Sequence, residues 1–241
     1  MRFSAEIFLD SDRIPKDKNR IILSLIKRGM SALDQEFFED LYQSGEARQK
    51  NFTFALYMPN CKFHREEIEI PSKKMILNVS TYDMDLGVQL FNALLTQAGN
   101  PYRYREILLT IGKVRLQRER LIQSEKVLFQ SISPCVAREH RGSNKDNWFH
   151  SLSDERGQQI FLENLKGQAL RNFPNAGKDI EELSIRILRN KEVKVKHYGI
   201  EVLANIVLFE LCGKIYLLDY FYKAGAGSMK STGFSMLSIR E

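Results

Sequence analysis

Residues able to do chemistry gather most densely near the end of the chain, in "KAGAGSMKSTGFSMLSI" at 223–239. Gly225, Gly227 and Gly233 bracket Ser228, Lys230, Ser231 and Thr232. Glycine takes backbone angles that other residues avoid, so a glycine-rich turn leaves N–H groups free to point at an anion. The hydroxyls and the Lys230 ammonium suit contact with a phosphate or a base edge. The spacing is not that of a P-loop, where Gly-Lys-Ser/Thr opens a helix, nor of a dinucleotide fingerprint, which also needs a following helix. The same composition equally serves a plain connection before a terminal strand.

Groups able to move protons are sparse. His64 lies in the charged, turn-like "CKFHREE", where a near-neutral pKa suits acid–base work. His140 and His150 fall in "EHRGSNKDNWFHSLSDERG", a polar stretch without periodicity that reads as a loop. His197, in "KVKHYGI", sits on a basic strand facing solvent or a nucleic acid. No two histidines have metal-ligand spacing, and no compact acid/base set marks a metabolic enzyme. Cys61, Cys135 and Cys212 are odd in number and far apart, which reads as buried free thiols in a reducing, cytosolic compartment. No apolar run reaches the roughly 20 residues of a membrane helix.

Positive charge is more abundant. Lys and Arg number 36 against 30 Asp and Glu, a net charge of +6 that fits a nucleic-acid partner without demanding one. "YRYREILLTIGKVRLQRERL" carries Arg103, Arg105, Lys113, Arg115, Arg118 and Arg120, with Tyr102 and Tyr104 among them. "RILRNKEVKVKHY" adds Arg186, Arg189, Lys191, Lys194 and Lys196. Alternate basic residues on a strand share one face, a track for phosphates, and the tyrosines suit stacking on unpaired bases. Glu106, Glu119 and Glu192 dilute both patches, as they would on an ordinary solvated face.

These residues need a scaffold, and periodicity supplies one. "MRFSAEIFLD" alternates Phe3, Ala5, Ile7 and Leu9 against polar neighbours, a half-buried strand. Helices follow around Ile21–Ile26 and Phe37–Leu41; "NFTFALYMP" is a strand, "EEIEIPSKKMILNVSTYD" holds two more, and Leu86, Leu90, Phe91 and Leu94 give a helical stripe. "NPYRYRE" reads as a boundary. Strands at 106–137, a helix over "QQIFLENLKGQALRNF", further strands, a short helix at "IYLLDYFYKAG" and a last strand make up the rest. Each half thus predicts an α+β unit of βαββαβ order, residues 1–100 and 106–241, as two tandem ferredoxin-like domains.

The terminal "GAGSMKSTGFSML" resembles the glycine-rich signature of the CRISPR-associated repeat-RNA-processing endoribonucleases of the repeat-associated mysterious protein (RAMP) superfamily. The chain keeps Gly225, Gly227, Gly233 and Phe234 but has Ser235 where the family usually has a last glycine. "KNFTFALYMP", "SPCVAR" and "FLENLKGQAL" resemble further family motifs in the same order. The resemblance implies paired ferredoxin-like domains that bind CRISPR repeat RNA and cut it without metal or cofactor. In that reaction the 2′-hydroxyl attacks the adjacent phosphate and leaves a 2′,3′-cyclic phosphate and a 5′-hydroxyl. It also implies a monomer or homodimer, with other CRISPR effector subunits as further partners.

That chemistry needs a base, an acid and positive charge at the phosphate. Many family members supply a histidine after the second helical segment and a lysine shortly after it. Here Tyr42 matches the histidine and Lys50 the lysine. Three readings stay open: Tyr42 substitutes, with Lys50 and Arg48 stabilising charge; His64 reaches the site; or the chain binds the repeat and cuts slowly or not at all. RNA binding falls to Arg48, Arg115, Lys194, Lys196 and the loop residues Gly225, Gly227, Ser228, Lys230, Ser231 and Gly233.

Overall fold

The computed structural model describes residues 1–42, 50–140 and 147–240. In chain order it runs β1 (Arg2–Leu9), β2 (Arg13–Pro15), α1 (Lys18–Leu33), α2 (Gln35–Tyr42), β3 (Phe52–Tyr57), β4 (Lys62–Phe63), β5 (Glu67–Glu69), β6 (Lys74–Thr81), α3 (Met84–Leu95), β7 (Pro101–Tyr104) and β8 (Ile107–Leu116). Then come β9 (Lys126–Ser131), β10 (Ala137–His140), β11 (Asn147–His150), α4 (Glu155–Asn172), α5 (Gly177–Glu181), β12 (Ser184–His197), β13 (Ile200–Cys212), α6 (Ile215–Ala224) and β14 (Leu237–Arg240).

The first sheet has the order β3-β6-β1-β8-β7 and all its pairs are antiparallel. Phe3, Ala5 and Ile7 of β1 face Val79, Leu77 and Met75 of β6, and the alternation buries this row completely. α1 and α3 cover that face with Ile22, Leu25, Ile26, Leu86, Leu90 and Leu94. The helices approach closely at Gly29, where a Cβ would lie 2.4 Å from the Ala93 carbonyl oxygen. Asp83 caps α3, its carboxylate accepting from the Leu86 N–H at 3.1 Å.

The second sheet has the order β12-β13-β9-β14, again antiparallel, with α4 and α6 packed on it through Ile160, Phe161, Leu165, Leu217, Leu218 and Phe221. Each unit therefore places its strands 2-3-1-4 around two helices. The fold is α+β with two tandem ferredoxin-like βαββαβ domains, as the element order predicts.

Two sequence expectations need correction. "NPYRYRE" is not a boundary: β7 and β8 complete the first sheet, with Ala5 facing Val114 and Leu9 facing Leu109. The division expected at residues 100–106 therefore shifts to 117–125. The solvent end of β8, with Lys113 and Arg115, carries the basic composition that suggests a new unit. The polar stretch 139–157 is likewise not one loop. β10 and β11 pair, His140 opposite Asn147 and Arg138 opposite Phe149, and α4 begins at Glu155. Most of its residues are half-exposed, so no apolar alternation betrays it.

The two units meet along the glycine-rich segment. Thr53 donates its hydroxyl to the Phe234 carbonyl at 2.6 Å, and Asn19 donates to the carbonyls of Thr232 and Gly233 at 3.0 and 3.3 Å. Ser80 donates to the Lys223 carbonyl at 2.7 Å, and the Arg2 guanidinium to that of Leu237 at 2.8 Å. The β12–β13 hairpin adds a second bridge. Tyr198 and Gly199 at its tip both have positive φ, the geometry of a tight two-residue turn. The Tyr198 N–H bonds Asp17, and Lys196 pairs with Glu66 at 2.6 Å.

Candidate nucleic-acid cleft

A cleft of about 310 Å³ opens where the glycine-rich segment passes α4 and β10. Its wall takes Lys50 from the first unit, and Arg138, His140, Arg171 and Lys230 from the second. Glu163 is the one carboxylate among the described lining residues.

α4 is the organising element. Asn164, Gln168 and Arg171 recur at helical spacing on one face, with Gly167 between them leaving room. Gln168, almost fully buried, holds the loop at two points. Its amide donates to the Gly225 carbonyl at 2.8 Å and its oxygen accepts from the Gly227 N–H at 2.7 Å. Asn164 ties the loop to β10: its oxygen accepts from the Arg138 N–H and the Ser228 hydroxyl at 2.9 and 3.0 Å, and its amide donates to the Arg138 carbonyl.

The glycines answer to protein neighbours. Gly225, Gly227 and Gly233 all have φ near +80 to +90°. A Cβ would sit 2.9 Å from Thr53 at Gly225, 2.8 Å from Phe161 at Gly227 and 2.5 Å from Phe54 at Gly233. Ser235, in place of the family's last glycine, keeps a left-handed backbone at φ +62°. Ser228, Lys230 and Ser231, between the glycines, form the cleft wall.

Two donors in that wall have no partner among the described residues. The Arg138 Nε–H is buried and unbonded. The Lys230 ammonium is buried and unbonded too, 5.5 Å from the centre of the Tyr220 ring. Burial, with Arg171 beside it, pushes the Lys230 pKa down to about 7. Arg138 also donates through Nη2 to Nε2 of His140 at 2.6 Å. A guanidinium accepts nothing, so the imidazole offers a lone pair there. Burial and the Arg138 charge both lower the His140 pKa.

Lys50 connects this cleft to Tyr42. The ammoniums of Lys27 and Lys50 lie 4.4 and 5.0 Å from the centre of the Tyr42 ring. Burial lowers the pKa of both lysines, and for Lys50 the Lys27 charge adds to it. The Tyr42 hydroxyl is buried without a partner among the described residues, and burial moves its pKa upward. The cations beside this phenol therefore do not make it acidic.

The structure thus brings Lys50, Gly227, Ser228, Lys230 and Ser231 to one cleft, with Tyr42 behind Lys50; Gly225 and Gly233 support the loop from inside the protein. The other candidates lie elsewhere. His64 pairs with Glu69 at 2.8 Å on the small β2-β5-β4 sheet. Arg115 is exposed on β8, Lys194 pairs with Glu201, and Lys196 is held by Glu66. Arg48 lies outside the described residues. His197, expected to face outward, is buried edge-on against Phe234. Sequence reasoning missed Lys27, Arg138, His140, Asn164, Gln168 and Arg171. The i, i+4, i+7 polar stripe of α4 was the available signal, as was Arg138-x-His140, which any strand places on one face.

Among the described residues no helix is long and apolar enough to cross a membrane. A family model described as CRISPR associated protein Cas6, C-terminal, matches residues 116–239. No curated protein matches the sequence. Among solved structures, the chain is similar to the product of a Cas6-related gene from Pyrococcus furiosus, at 16% identity and TM-score 0.85, covering 100% of this chain and 98% of that one. It is also similar to a RAMP protein binding different RNA substrates, at 18% identity and TM-score 0.83 over 100% of both chains. A Cas6 product complex matches at 14% identity and TM-score 0.73 over 99% of each. At these identities the likeness is one of fold.

Proposed function

The chain belongs to the Cas6 family of CRISPR-associated RAMP-type proteins that process repeat RNA, and from that premise we propose that it cuts CRISPR precursor RNA within the repeats, with the scissile phosphate in the cleft between α4 and the glycine-rich loop. The reaction is attack by the 2′-hydroxyl on the adjacent phosphorus, without a metal, giving a 2′,3′-cyclic phosphate and a 5′-hydroxyl. The observation that supports this most is the pair of unpartnered buried donors, Arg138 Nε and Lys230 Nζ, in a wall that also carries Lys50 and Arg171. A buried donor without an acceptor costs roughly 1–3 kcal/mol, and a phosphate oxygen is an acceptor that relieves it. The same cations would stabilise the extra charge of the phosphorane-like transition state.

A second reading is a subunit that binds repeat RNA and cuts weakly or not at all. Tyr42 favours it: its phenol, at the position of the family's histidine, holds its proton more tightly than an ordinary tyrosine.

The test is incubation with the host's repeat RNA in excess EDTA, beside the same RNA carrying one 2′-deoxy nucleotide just upstream of the cut. Cleavage of the first alone, with cyclic-phosphate and 5′-hydroxyl ends, is expected. Tight, salt-sensitive binding with no cut would overturn the nuclease and leave the binding subunit. Cleavage that EDTA abolishes would overturn the metal-free reaction.

A further inference from the structure

We propose that His140 is the catalytic base of this cleft, taking the proton of the attacking 2′-hydroxyl on Nε2, with Arg138 as the switch that frees it; the inference rests on the cleavage reading above. Each of the chain's four histidines has a defined place. His64 is bound to Glu69, His150 to Glu139 at 2.8 Å, and His197 is buried against Phe234. His140 alone lines the cleft. It is exposed, on the last residue of β10, so an RNA can reach it.

The described groups facing the cleft with His140 are Arg138 from its own strand, Glu163 and Arg171 from α4, Lys230 from the loop and Lys50 from the first unit. Arg138, Arg171 and Lys50, with Lys230 partly protonated near neutral pH, outweigh the one carboxylate and favour a neutral imidazole, the form a base must have. In the free protein its lone pair is occupied by the Arg138 Nη2–H. The neighbouring Nε–H of the same guanidinium has no acceptor among the described residues. A phosphate that draws the guanidinium onto its oxygens through Nε and Nη2 competes with His140 for the Nη2 hydrogens and pulls the donor away from Nε2. The arriving dianionic transition state also raises the proton affinity of the imidazole. Substrate binding thus prepares the base.

The step balances within the cleft. The 2′-oxygen forms its bond to phosphorus as its proton passes to His140 Nε2. The bond from phosphorus to the 5′-oxygen breaks, and that oxygen takes a proton from the Lys50 ammonium. Exchange with water then returns His140 to neutral imidazole and Lys50 to ammonium.

Single-turnover cleavage of repeat RNA by the full chain tests this across pH 5–9, with wild type, His140→Ala and His140→Gln. Affinity for the uncleavable 2′-deoxy RNA is measured alongside. Both variants are expected to cut about 10²–10⁴-fold more slowly, to lose the acidic limb of the pH–rate profile, and to bind the 2′-deoxy RNA within about threefold of wild type. Added imidazole is expected to restore part of the His140→Ala rate. Gln can still accept from Arg138 but does not take a proton at neutral pH. Near wild-type cutting by His140→Gln would reduce His140 to a positioning residue, and near wild-type cutting by His140→Ala would remove it altogether. A wild type that binds but does not cut overturns the nuclease reading first, and the role of His140 falls with it.

Discussion

Replacing Gly233 by Ala asks what the glycines of the terminal loop are for. If they admit an RNA backbone, the change harms binding and leaves the folded protein intact. If they admit the protein itself, stability falls. The backbone at Gly233 lies at φ +90°, where an L side chain costs about 1–3 kcal/mol. The new Cβ would lie 2.5 Å from Phe54 Cε2 and 2.7 Å from Asn19 Nδ2, both in the buried seam between the units. Overpacking of this kind costs about 1–3 kcal/mol more. Together these give roughly 2–6 kcal/mol, and at about 2–4 °C per kcal/mol for a chain this long a fall in Tm of about 4–24 °C. Two controls separate the causes. Gly99 shares a positive φ, +78°, but a Cβ there meets nothing within 4 Å, so Gly99→Ala bears strain alone. Gly177 opens α5 with neither strain nor contact, so Gly177→Ala is expected to be neutral or stabilising by about 0.4–1 kcal/mol. Differential scanning calorimetry should rank the losses Gly233, then Gly99, then Gly177. A Gly233→Ala protein melting within about 2 °C of wild type would refute the packing argument.

Lys230→Met should raise stability near pH 7. The folded-state pKa of about 7 lies below the ordinary 10.5, so between these values the unfolded chain binds the extra proton and stability rises with pH. The stability gap between Lys230→Met and wild type should therefore narrow from pH 7 to 10.5 in urea titrations, and a gap independent of pH would mean the amine is solvated. Arg138→Ala should flatten the salt dependence of repeat-RNA binding by about 0.7–0.9 in the slope of log K against log salt, the share of a single neutralised phosphate. Lys196→Ala, whose ammonium is already engaged by Glu66, should leave that slope unchanged in filter-binding titrations.

The scaffold is legible where burial is one-sided. Phe3, Ala5 and Ile7 alternate because only one face of β1 meets α1 and α3, and Leu86, Leu90 and Leu94 recur because α3 has one buried side. The β10–β11 hairpin escapes because its residues are mostly half-exposed, which leaves hydropathy without a period. That omission hides the site. Arg138 and His140 share a face only once β10 is known to be a strand, and their composition alone reads as loop. His197 misleads in the other direction. Its basic neighbours suggest solvent, but the hairpin tip folds back onto α1, where Arg20 lies 5.0 Å from the Tyr198 ring centre, and the imidazole is enclosed. Packing between segments so far apart in the chain leaves no mark on local composition.

The loop that stands out in the sequence therefore divides its labour by residue type. Gly225 and Gly233 let the chain pass against Thr53 and Phe54 of the first unit, and Gly227 lets it pass Phe161 of the second. A side chain at Gly225 or Gly233 would press against the first unit, and one at Gly227 against Phe161 within the second. Between them, Ser228, Lys230 and Ser231 are left to face the cleft, held there by Asn164 and Gln168. One consequence is mechanical. Lys50 reaches the cleft from the first unit while Arg138, His140 and Arg171 reach it from the second, so the spacing of the cations is set by the seam that the glycines permit. A change that loosens the seam acts on the phosphate site without touching a charged residue. Gly233→Ala is thus expected to reduce cutting more than its Tm alone predicts, because displacement of about 1 Å in a catalytic constellation can cost on the order of 10²-fold in rate.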